Sequence, residues 1–281
     1  MTRETLGSVT MMFVAMSLIP VGDTAGKLLT ATHGASPFFV AFSRFAVGTA
    51  VVILILGGRV DWPVFRDWRI WLRGGLIAAA ISCILTALRT EEIATVFGAF
   101  FVGPLFSYVL SIRFLGERVT SLQTIMLAGG FCGVLLVVRP GFGMTPGLGF
   151  AVLAGLFYGA FLTTSRWLSD VAAPRQLMLS QSAIGTLLLL PVGLLQVPEA
   201  SAPVASLVLL SGTASASGNL LLVLAYRRTS ATVLAPFVYS QLISATILGW
   251  AVFDTFPDAT SLAGLAILVA AGVGTVVFRR D

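Results

Sequence analysis

Three charged residues in long apolar runs are the first candidates for function, because a charge without a partner is costly there. Arg44 stands inside the run 37–57, and Asp23 and Lys27 stand late in the run 6–29. Counted from Pro37 at about 1.5 Å per residue, Arg44 is on the order of 10 Å from the end of its run. A cation at that depth in an apolar medium needs water or a partner. The pattern leaves two interpretations open for Arg44, a site for a substrate anion or coupling ion, and a fixed ion pair with Asp23.

Lys27 offers a second partner for Asp23, because it lies one helical turn further along the same face. Glu91, which precedes Glu92 at the turn between two apolar runs, is a candidate for proton coupling. Adjacent acids in a loop are more often simply solvated. Asp23, Lys27 and Glu91 are therefore our candidates for ion pairing or coupling.

A further set of candidates combines aromatic rings with a hydroxyl and an amide at helical spacing. The residues are Phe97, Phe101 and Tyr108 in the run 93–113, Tyr158 in the run 147–168, and Phe237, Gln241 and Ser244 in the run 231–252. With Pro104, the first three follow one helical stripe, and the proline would free a carbonyl and bend the helix. Such walls suit a flat, partly apolar solute, although aromatic side chains also serve ordinary packing.

The catalytic and metal-binding motifs that we sought are missing from the sequence. It contains neither HExxH nor a Walker lysine motif, and Gly22-Asp23 is not the full Gly-x-Gly-Asp of membrane aspartyl proteases. Cys83 and Cys132 have no metal-ligand spacing. We expect no metal site, no cofactor and no enzyme activity. An intramembrane enzyme and a channel remain the alternatives from other functional classes.

The elements that must position these residues are transmembrane helices. Of the 281 residues, 57% are hydrophobic and 10% are charged, against roughly 25% charged in soluble domains. Ten runs are long enough to cross a bilayer. They are 6–29, 37–57, 70–88, 93–113, 121–138, 147–168, 176–196, 204–225, 231–252 and 260–278. Ser36-Pro37 predicts a helix start and Gly57-Gly58 a helix end. The fold predicted is an all-α membrane protein.

The cations predict the orientation of these helices. With both termini in the cytoplasm, the outer side holds Lys27, Arg89 and Arg139. The inner side then holds thirteen arginines, namely Arg3, Arg59, Arg66, Arg69, Arg73, Arg113, Arg118, Arg166, Arg175, Arg227, Arg228, Arg279 and Arg280. This bias predicts a multi-pass protein of the cell inner membrane. Since the cations are scattered singly, no nucleic-acid surface is indicated.

The two halves of the chain resemble each other weakly. Ala94-Thr95-Val96 recurs as Ala231-Thr232-Val233, 137 residues later, and Glu117 then corresponds to Asp254. Because five helices are an odd number, a second copy must enter from the opposite face, as in the inverted repeats of secondary transporters. We therefore predict two inverted five-helix repeats, residues 1–141 and 142–281, with a site between them near the midplane of the membrane.

Several short motifs give the chain a resemblance to a known family. They are Asp23 with Lys27, Phe42-Ser43-Arg44-Phe45, Pro104, Leu115-Gly116-Glu117 and Leu136-Val137-Val138-Arg139-Pro140-Gly141. In this order and spacing, the chain resembles the ten-helix EamA-type members of the drug/metabolite transporter superfamily. The second half departs from the pattern, because Gln241 stands where the proline would recur and Asp254 replaces the glutamate.

The resemblance implies two five-helix repeats around a central cavity, in an ATP-independent carrier that works by alternating access and moves a small organic molecule. With Arg44 and the aromatic walls, we expect an aromatic or partly anionic metabolite, such as a vitamin like riboflavin. Uptake of S-adenosylmethionine and export of amino acids or toxic metabolites are the alternatives within transporters. The expected partners are the substrate and the lipid bilayer. Gly129-x-x-x-Gly133 and Gly155-x-x-x-Gly159 predict close helix contacts, within the chain or in a homodimer.

Overall fold

The computed structural model describes residues 3–116, 121–139, 144–168, 171–228 and 237–277, and their regular structure is entirely helical. The α-helices are α1 Arg3–Lys27, α2 Pro37–Leu56, α3 Trp68–Leu88, α4 Ile93–Phe100, α5 Val102–Leu115, α6 Ser121–Val138, α7 Pro146–Trp167, α8 Pro174–Gly193, α9 Ala202–Arg228, α10 Ser240–Phe253 and α11 Ala259–Val277. A π-helical turn, Leu28–Thr32, extends α1, and short 3-10 helices span Trp62–Arg66 and Leu194–Gln196. Several sequence features used above lie outside the described residues, namely Glu117, Arg118, Pro140-Gly141, Ala231-Thr232-Val233, Arg279 and Arg280.

Seven helical segments of the described chain are long and apolar enough to cross a membrane. They are Leu6–Thr32, Pro37–Leu56, Trp68–Leu88, Ile93–Leu115, Pro146–Trp167, Pro174–Gln196 and Ala202–Leu222. Shorter apolar helices, Ala128–Val138, Ser240–Phe253 and Ala259–Ala271, overlap the three remaining predicted runs. The protein is therefore an all-helical, multi-pass membrane protein, as predicted.

The local signals at α2 act as the sequence predicts. Ser36 caps the first turn, where its hydroxyl accepts a hydrogen bond from the Phe38 N–H at 3.3 Å, and Pro37 occupies the first helical position. Gly57 ends the helix in the left-handed conformation, with φ of 58°, which a residue without Cβ adopts readily. These boundaries fix the depth of Arg44 below the start of its helix.

The helix predicted over 93–113 is interrupted near its middle. Phe101 separates α4 from α5, three residues before Pro104. Because proline has no N–H, it cannot bond the Phe100 carbonyl four residues earlier, which explains a break at this place. Tyr239 similarly forms a turn between helical Phe237-Val238 and α10. The rings of Phe101 and Tyr239 lie 5.2 Å apart, so the two interruptions meet.

Helix packing brings both halves of the chain together. Helix α1 packs along α9 and α10, α3 along α7 and α8, α2 along α8 and α9, α5 along α7, and α6 along α11. Glycines permit the closest approaches. A Cβ on Gly155 would lie 2.6 Å from the Phe100 carbonyl oxygen, and one on Gly133 would lie 2.8 Å from the Gly264 carbonyl oxygen. The predicted close helix contacts at these two glycines are thus formed within the chain.

Candidate functional site

An internal cavity of about 330 Å³ lies among these helices. Its wall contains residues of α1, α2, α3, α7, α8 and α9, together with the interrupted segments around Phe101 and Tyr239. A volume of this order is within the range of sites for small organic ligands. Of the predicted site residues, the wall includes Asp23, Arg44, Phe97, Phe101, Tyr158 and Gln241.

Arg44 and Asp23 form a buried ion pair at one side of the cavity. Arg44 Nη1 donates to Asp23 Oδ1 at 2.5 Å, and the two side chains are only 6% and 3% exposed. The remaining nitrogens are also used. Nε and Nη2 donate to Ser211 Oγ at 3.2 and 3.1 Å, and Nη2 donates to the Gly22 carbonyl at 2.9 Å. Of the two interpretations of Arg44, the structure therefore favours the ion pair with Asp23.

A second buried arginine, Arg73, lies in the wall of the same cavity. It is 6% exposed, although the orientation count above placed it with the loop cations. Its Nε donates to Ser165 Oγ at 2.8 Å, Nη1 to the Leu177 carbonyl at 2.9 Å and Nη2 to Gln181 Oε1 at 2.8 Å. All of these acceptors are neutral. The ion pairs among the described residues, Arg44–Asp23, Arg69–Asp67 and Arg139–Asp258, do not include Arg73.

The Arg73 cluster was not predicted from the sequence, because Arg73 is only about 8 Å, at 1.5 Å per residue, from the start of α3 at Trp68. A cation so close to a helix end reads as interfacial. The helical spacing of Arg73 with buried Ile70 and Ile77 was a usable signal, since it sets the arginine on the inward face.

Aromatic rings form a continuous wall beside Arg73. The guanidinium carbon lies 4.6 Å from the ring centre of Phe161. From there, ring contacts lead to Tyr158 at 5.8 Å, to Phe100 at 4.9 Å and to Phe97 at 6.4 Å. These residues come from α7 and α4, which can pack closely because Gly155 has no side chain. The cavity thus offers a flat ligand several ring faces and edges.

Neutral polar groups lie on the α9 side of the cavity. Ser215 is 8% exposed, lines the cavity, and has a hydroxyl without a hydrogen-bond partner in the described structure. Asn219 donates from Nδ2 to the Ser215 carbonyl at 2.8 Å and lines the cavity as well. Because a buried hydroxyl without a partner is unfavourable, Ser215 is available to a bound ligand.

The other predicted site residues lie elsewhere. Tyr108 follows the break at Phe101, and its buried hydroxyl has no partner among the described residues. The Phe237 ring packs edge-on against Phe13 at 5.1 Å, and Ser244 shares a hydrogen bond of 3.1 Å with Ser17. These contacts are formed with α1, away from the wall of the cavity.

Lys27 and Glu91 meet at the end of α1 rather than in the cavity. Lys27 Nζ donates to the main-chain carbonyl of Glu91 and lies 5.1 Å from the ring centre of Phe253. Glu91 Oε1 accepts a hydrogen bond from Thr145 Oγ1 at 2.6 Å. The carboxylate of Asp23 pairs with Arg44 and not with Lys27. A role of Lys27 and Glu91 in ion coupling stays a prediction.

Metal binding has no support in the described part of the chain. No group of three or more His, Cys, Asp and Glu side chains in the ranges described is close enough to hold a metal ion. The cavity wall offers a ligand two guanidinium groups, one carboxylate, neutral hydrogen-bonding groups and aromatic rings.

Comparison with known proteins agrees with this picture. The chain is 27% identical to the S-adenosylmethionine uptake transporter of Rickettsia bellii, over 83% of this chain and 81% of the relative. It is 26% identical to the riboflavin transporter of Rhizobium johnstonii, over 97% and 91% of the two chains. It is also 26% identical to the pseudopaline exporter CntI of Pseudomonas aeruginosa, over 83% of each. The predicted class, a transporter of small metabolites, is confirmed.

A solved crystal structure shares the fold, with a TM-score of 0.69 over 98% of this chain and 99% of that chain, at 18% identity. The EamA-like transporter family matches residues 5–139 and, a second time, residues 145–277. Because these two matches cover nearly the whole sequence, the chain belongs to the EamA-like transporter family.

Proposed function

We propose that the protein is a secondary, ATP-independent carrier that moves an aromatic or partly anionic metabolite across the cell inner membrane by alternating access. The observation that carries the proposal is the cavity of about 330 Å³, which is walled by helices from both halves of the chain and contains charged, polar and aromatic groups. A carrier needs such an internal site, accessible from each side in turn. Phe97, Phe101, Tyr158 and Gln241 would contact the substrate.

The proposed architecture is ten transmembrane helices in two inverted repeats, residues 1–141 and 142–281, with both termini in the cytoplasm. The helix pairs support it, because the contact of α1 with α9 corresponds to that of α7 with α3 when the repeats are exchanged. Thr49 and Thr186, which share a hydrogen bond of 3.2 Å between α2 and α8, are 137 residues apart, the same offset as the short sequence repeat. Phe101 and Tyr239, 138 residues apart, interrupt corresponding helices.

Within this architecture, the Asp23–Arg44 pair would hold α1 against α2. Breaking and reforming such a pair is one way to couple substrate binding to helix movement. Four of the five N–H groups of Arg44 already have acceptors and Asp23 balances its charge, so we assign substrate contact first to the aromatic wall and to Gln241.

Counterflow in proteoliposomes tests the carrier. Vesicles that contain the purified protein are loaded with unlabelled riboflavin or S-adenosylmethionine, the compounds named for two relatives, and labelled compound is added outside. A carrier gives saturable, transient accumulation of label above equilibrium. Flux that does not saturate, without counterflow, would instead support a channel and overturn the proposal. Since one relative is named an exporter, the same assay in vesicles of defined protein orientation compares export with uptake.

A homodimer stays a prediction. Gly133 and Gly155 contact helices of their own chain. In α11, Ala270 and Gly274 have the same spacing of small residues, which makes them a further candidate for contact between two chains.

A further inference from the structure

We propose that Arg73, held by Ser165, Leu177 and Gln181, is the anion-binding subsite of the cavity and takes the carboxylate of an aromatic substrate. The inference rests on the proposed function, because it specifies how the same cavity recognises its cargo. It assigns this role to Arg73 rather than to Arg44, the arginine singled out by the sequence.

Arg73 has no counter-charge among the described residues. Arg44 has the Asp23 carboxylate at 2.5 Å, whereas the acceptors of Arg73 are a hydroxyl, a main-chain carbonyl and a side-chain amide. Both arginines are 6% exposed. A buried guanidinium with only neutral acceptors carries a full, uncompensated charge, which is costly in a membrane interior. A ligand anion would remove that cost.

The cavity as a whole has an excess of positive charge. The charged side chains in its wall are those of Asp23, Arg44 and Arg73. Two cations and one anion give a net charge of plus one. Because Asp23 and Arg44 already neutralise each other, the excess positive charge is located at Arg73. The cavity is thus electrostatically complementary to a ligand with a single negative charge.

Arg73 has two N–H donors without an acceptor in the bonds described above. A guanidinium carries five N–H groups, and its three nitrogens each use one here. One N–H therefore remains on each terminal nitrogen. The two oxygens of a carboxylate can accept both, which is the geometry that arginine favours and lysine cannot reproduce. The side-chain amide of Gln181 and the hydroxyl of Ser165 hold the guanidinium in position.

The position of the aromatic wall defines the rest of the ligand. Phe161 lies against the guanidinium, and Tyr158 and Phe100 continue the ring contacts away from it. A ligand with its carboxylate at Arg73 would place an aromatic group beside Tyr158 and Phe100. The substrate class that fits is therefore an aromatic monocarboxylate.

Matched ligands and matched variants test the inference. The full-length protein in phosphatidylcholine nanodiscs is titrated with aromatic acids and their uncharged amides, indole-3-acetate with indole-3-acetamide and 4-hydroxyphenylacetate with 4-hydroxyphenylacetamide. The variants are Arg73→Gln, Arg73→Lys and the neutral pair Asp23→Asn with Arg44→Gln. Arg113→Gln is the control, because Arg113 is exposed on α5 and loses the same charge.

In the wild type and in the Arg113 control, we expect at least one acid to bind about tenfold or more tightly than its amide. Arg73→Gln should bring the ratio to about one while the amide still binds, which shows that the variant is folded. Arg73→Lys should keep part of the preference for the acid. The double variant Asp23→Asn with Arg44→Gln should keep the whole preference, since it leaves Arg73 unchanged.

The inference is overturned if no acid is preferred, if the preference survives Arg73→Gln, or if it is lost in the neutral Asp23/Arg44 variant. Counterflow of the same compounds separates this failure from failure of the proposed function. Exchange of amides without any preference for acids would leave the carrier in place and remove the subsite. Absence of binding and exchange for every compound, including riboflavin and S-adenosylmethionine, would contradict both.

Discussion

Replacement of Asp23 by asparagine keeps the size of the side chain but removes the carboxylate that faces Arg44. The oxygen and nitrogen atoms of this pair are 2.5 Å apart, and both side chains are almost fully buried. At an effective dielectric constant of about 20, charges at this distance attract each other by about 7 kcal/mol. Desolvation of both groups offsets most of that attraction.

The magnitude expected for Asp23→Asn follows from what stays behind. The guanidinium of Arg44 would keep Ser211 Oγ and the Gly22 carbonyl as acceptors, but it would be a buried cation without a counter-charge. Removal of one partner from a buried ion pair destabilises proteins by about 3–5 kcal/mol. We expect a loss in this range for Asp23→Asn and for Arg44→Gln, and less than about 2 kcal/mol for the neutral double variant, which leaves no unpaired charge.

The assay is equilibrium unfolding of the detergent-solubilised protein, with the two single variants and the double variant forming a double-mutant cycle. Asp61→Asn is a suitable control, because Asp61 is exposed in the loop before α3 and its side chain caps no helix. It should change the unfolding free energy by no more than about 0.5 kcal/mol. If Asp23→Asn costs less than about 1 kcal/mol, or if the double variant loses the sum of the two single losses, the pair is not coupled and our reasoning is wrong.

Two further predictions concern the helix break and one loop. Gly155→Leu should lower the unfolding temperature by several degrees and reduce transport, because its Cβ would lie 2.6 Å from the Phe100 carbonyl oxygen. Gly149→Leu in the same helix is the control, since a Cβ there would meet only the end of the Met144 side chain at 3.7 Å. Equal effects of the two substitutions would contradict the close packing at Gly155. At Asp258, the Ser261 N–H and then Arg139 lower the pKa to about 2. The wild type should therefore be more stable than the Asp258→Asn variant by a constant amount above about pH 5, and this difference should decline as the pH falls from about 4 towards 2. Thermal unfolding of both proteins at each pH measures the difference, and a difference that grows on acidification would refute this assignment.

Two features of the site could be predicted from the sequence, the Asp23–Arg44 pair and the helix break near Phe101, because each follows from a local physical constraint. A charge in an apolar run needs a partner wherever the helices pack, so Asp23 and Arg44 could be paired before their helices were placed. The break near Phe101 follows in the same way, because the missing N–H of Pro104 is a local property of the chain. In both cases the physical constraint is contained in a few neighbouring residues.

The remaining features depend on packing between distant segments. Arg69 and Arg73 are one turn apart in α3, and both lie close to its start at Trp68. Arg69 pairs with Asp67 at the helix start, whereas Arg73 meets α7 and α8. Helical spacing sets Arg73 on the inward face, but the partners that it meets there depend on how α7 and α8 are arranged.

Tyr108 was assigned to the cavity by helical periodicity alone, and a role in substrate binding stays a prediction. The stripe from Phe97 to Tyr108 assumed a continuous helix with a regular rotation per residue. Phe101 interrupts that helix, and Tyr108 is not among the residues of the cavity wall. Because the helix is interrupted next to Pro104, helical spacing counted from Phe97 does not predict which way residues after the break face.

The two buried arginines occupy related environments in the proposed inverted repeat. Arg44 of α2 bonds α1 and α9, and Arg73 of α3 bonds α7 and α8. Exchange of the repeats turns the first set of helices into the second. The position of Arg44 then corresponds to Gln181, 137 residues later, and that of Arg73 to Ser211, 138 residues later.

Each cluster therefore joins one arginine to neutral groups from the same three helix positions, and only one of them contains a carboxylate. The scaffold itself does not require the acid, since the Arg73 cluster is built without it. What differs between the two ends of the cavity is the source of negative charge. At Arg44 the chain supplies it through Asp23, and at Arg73 an anionic substrate would supply it.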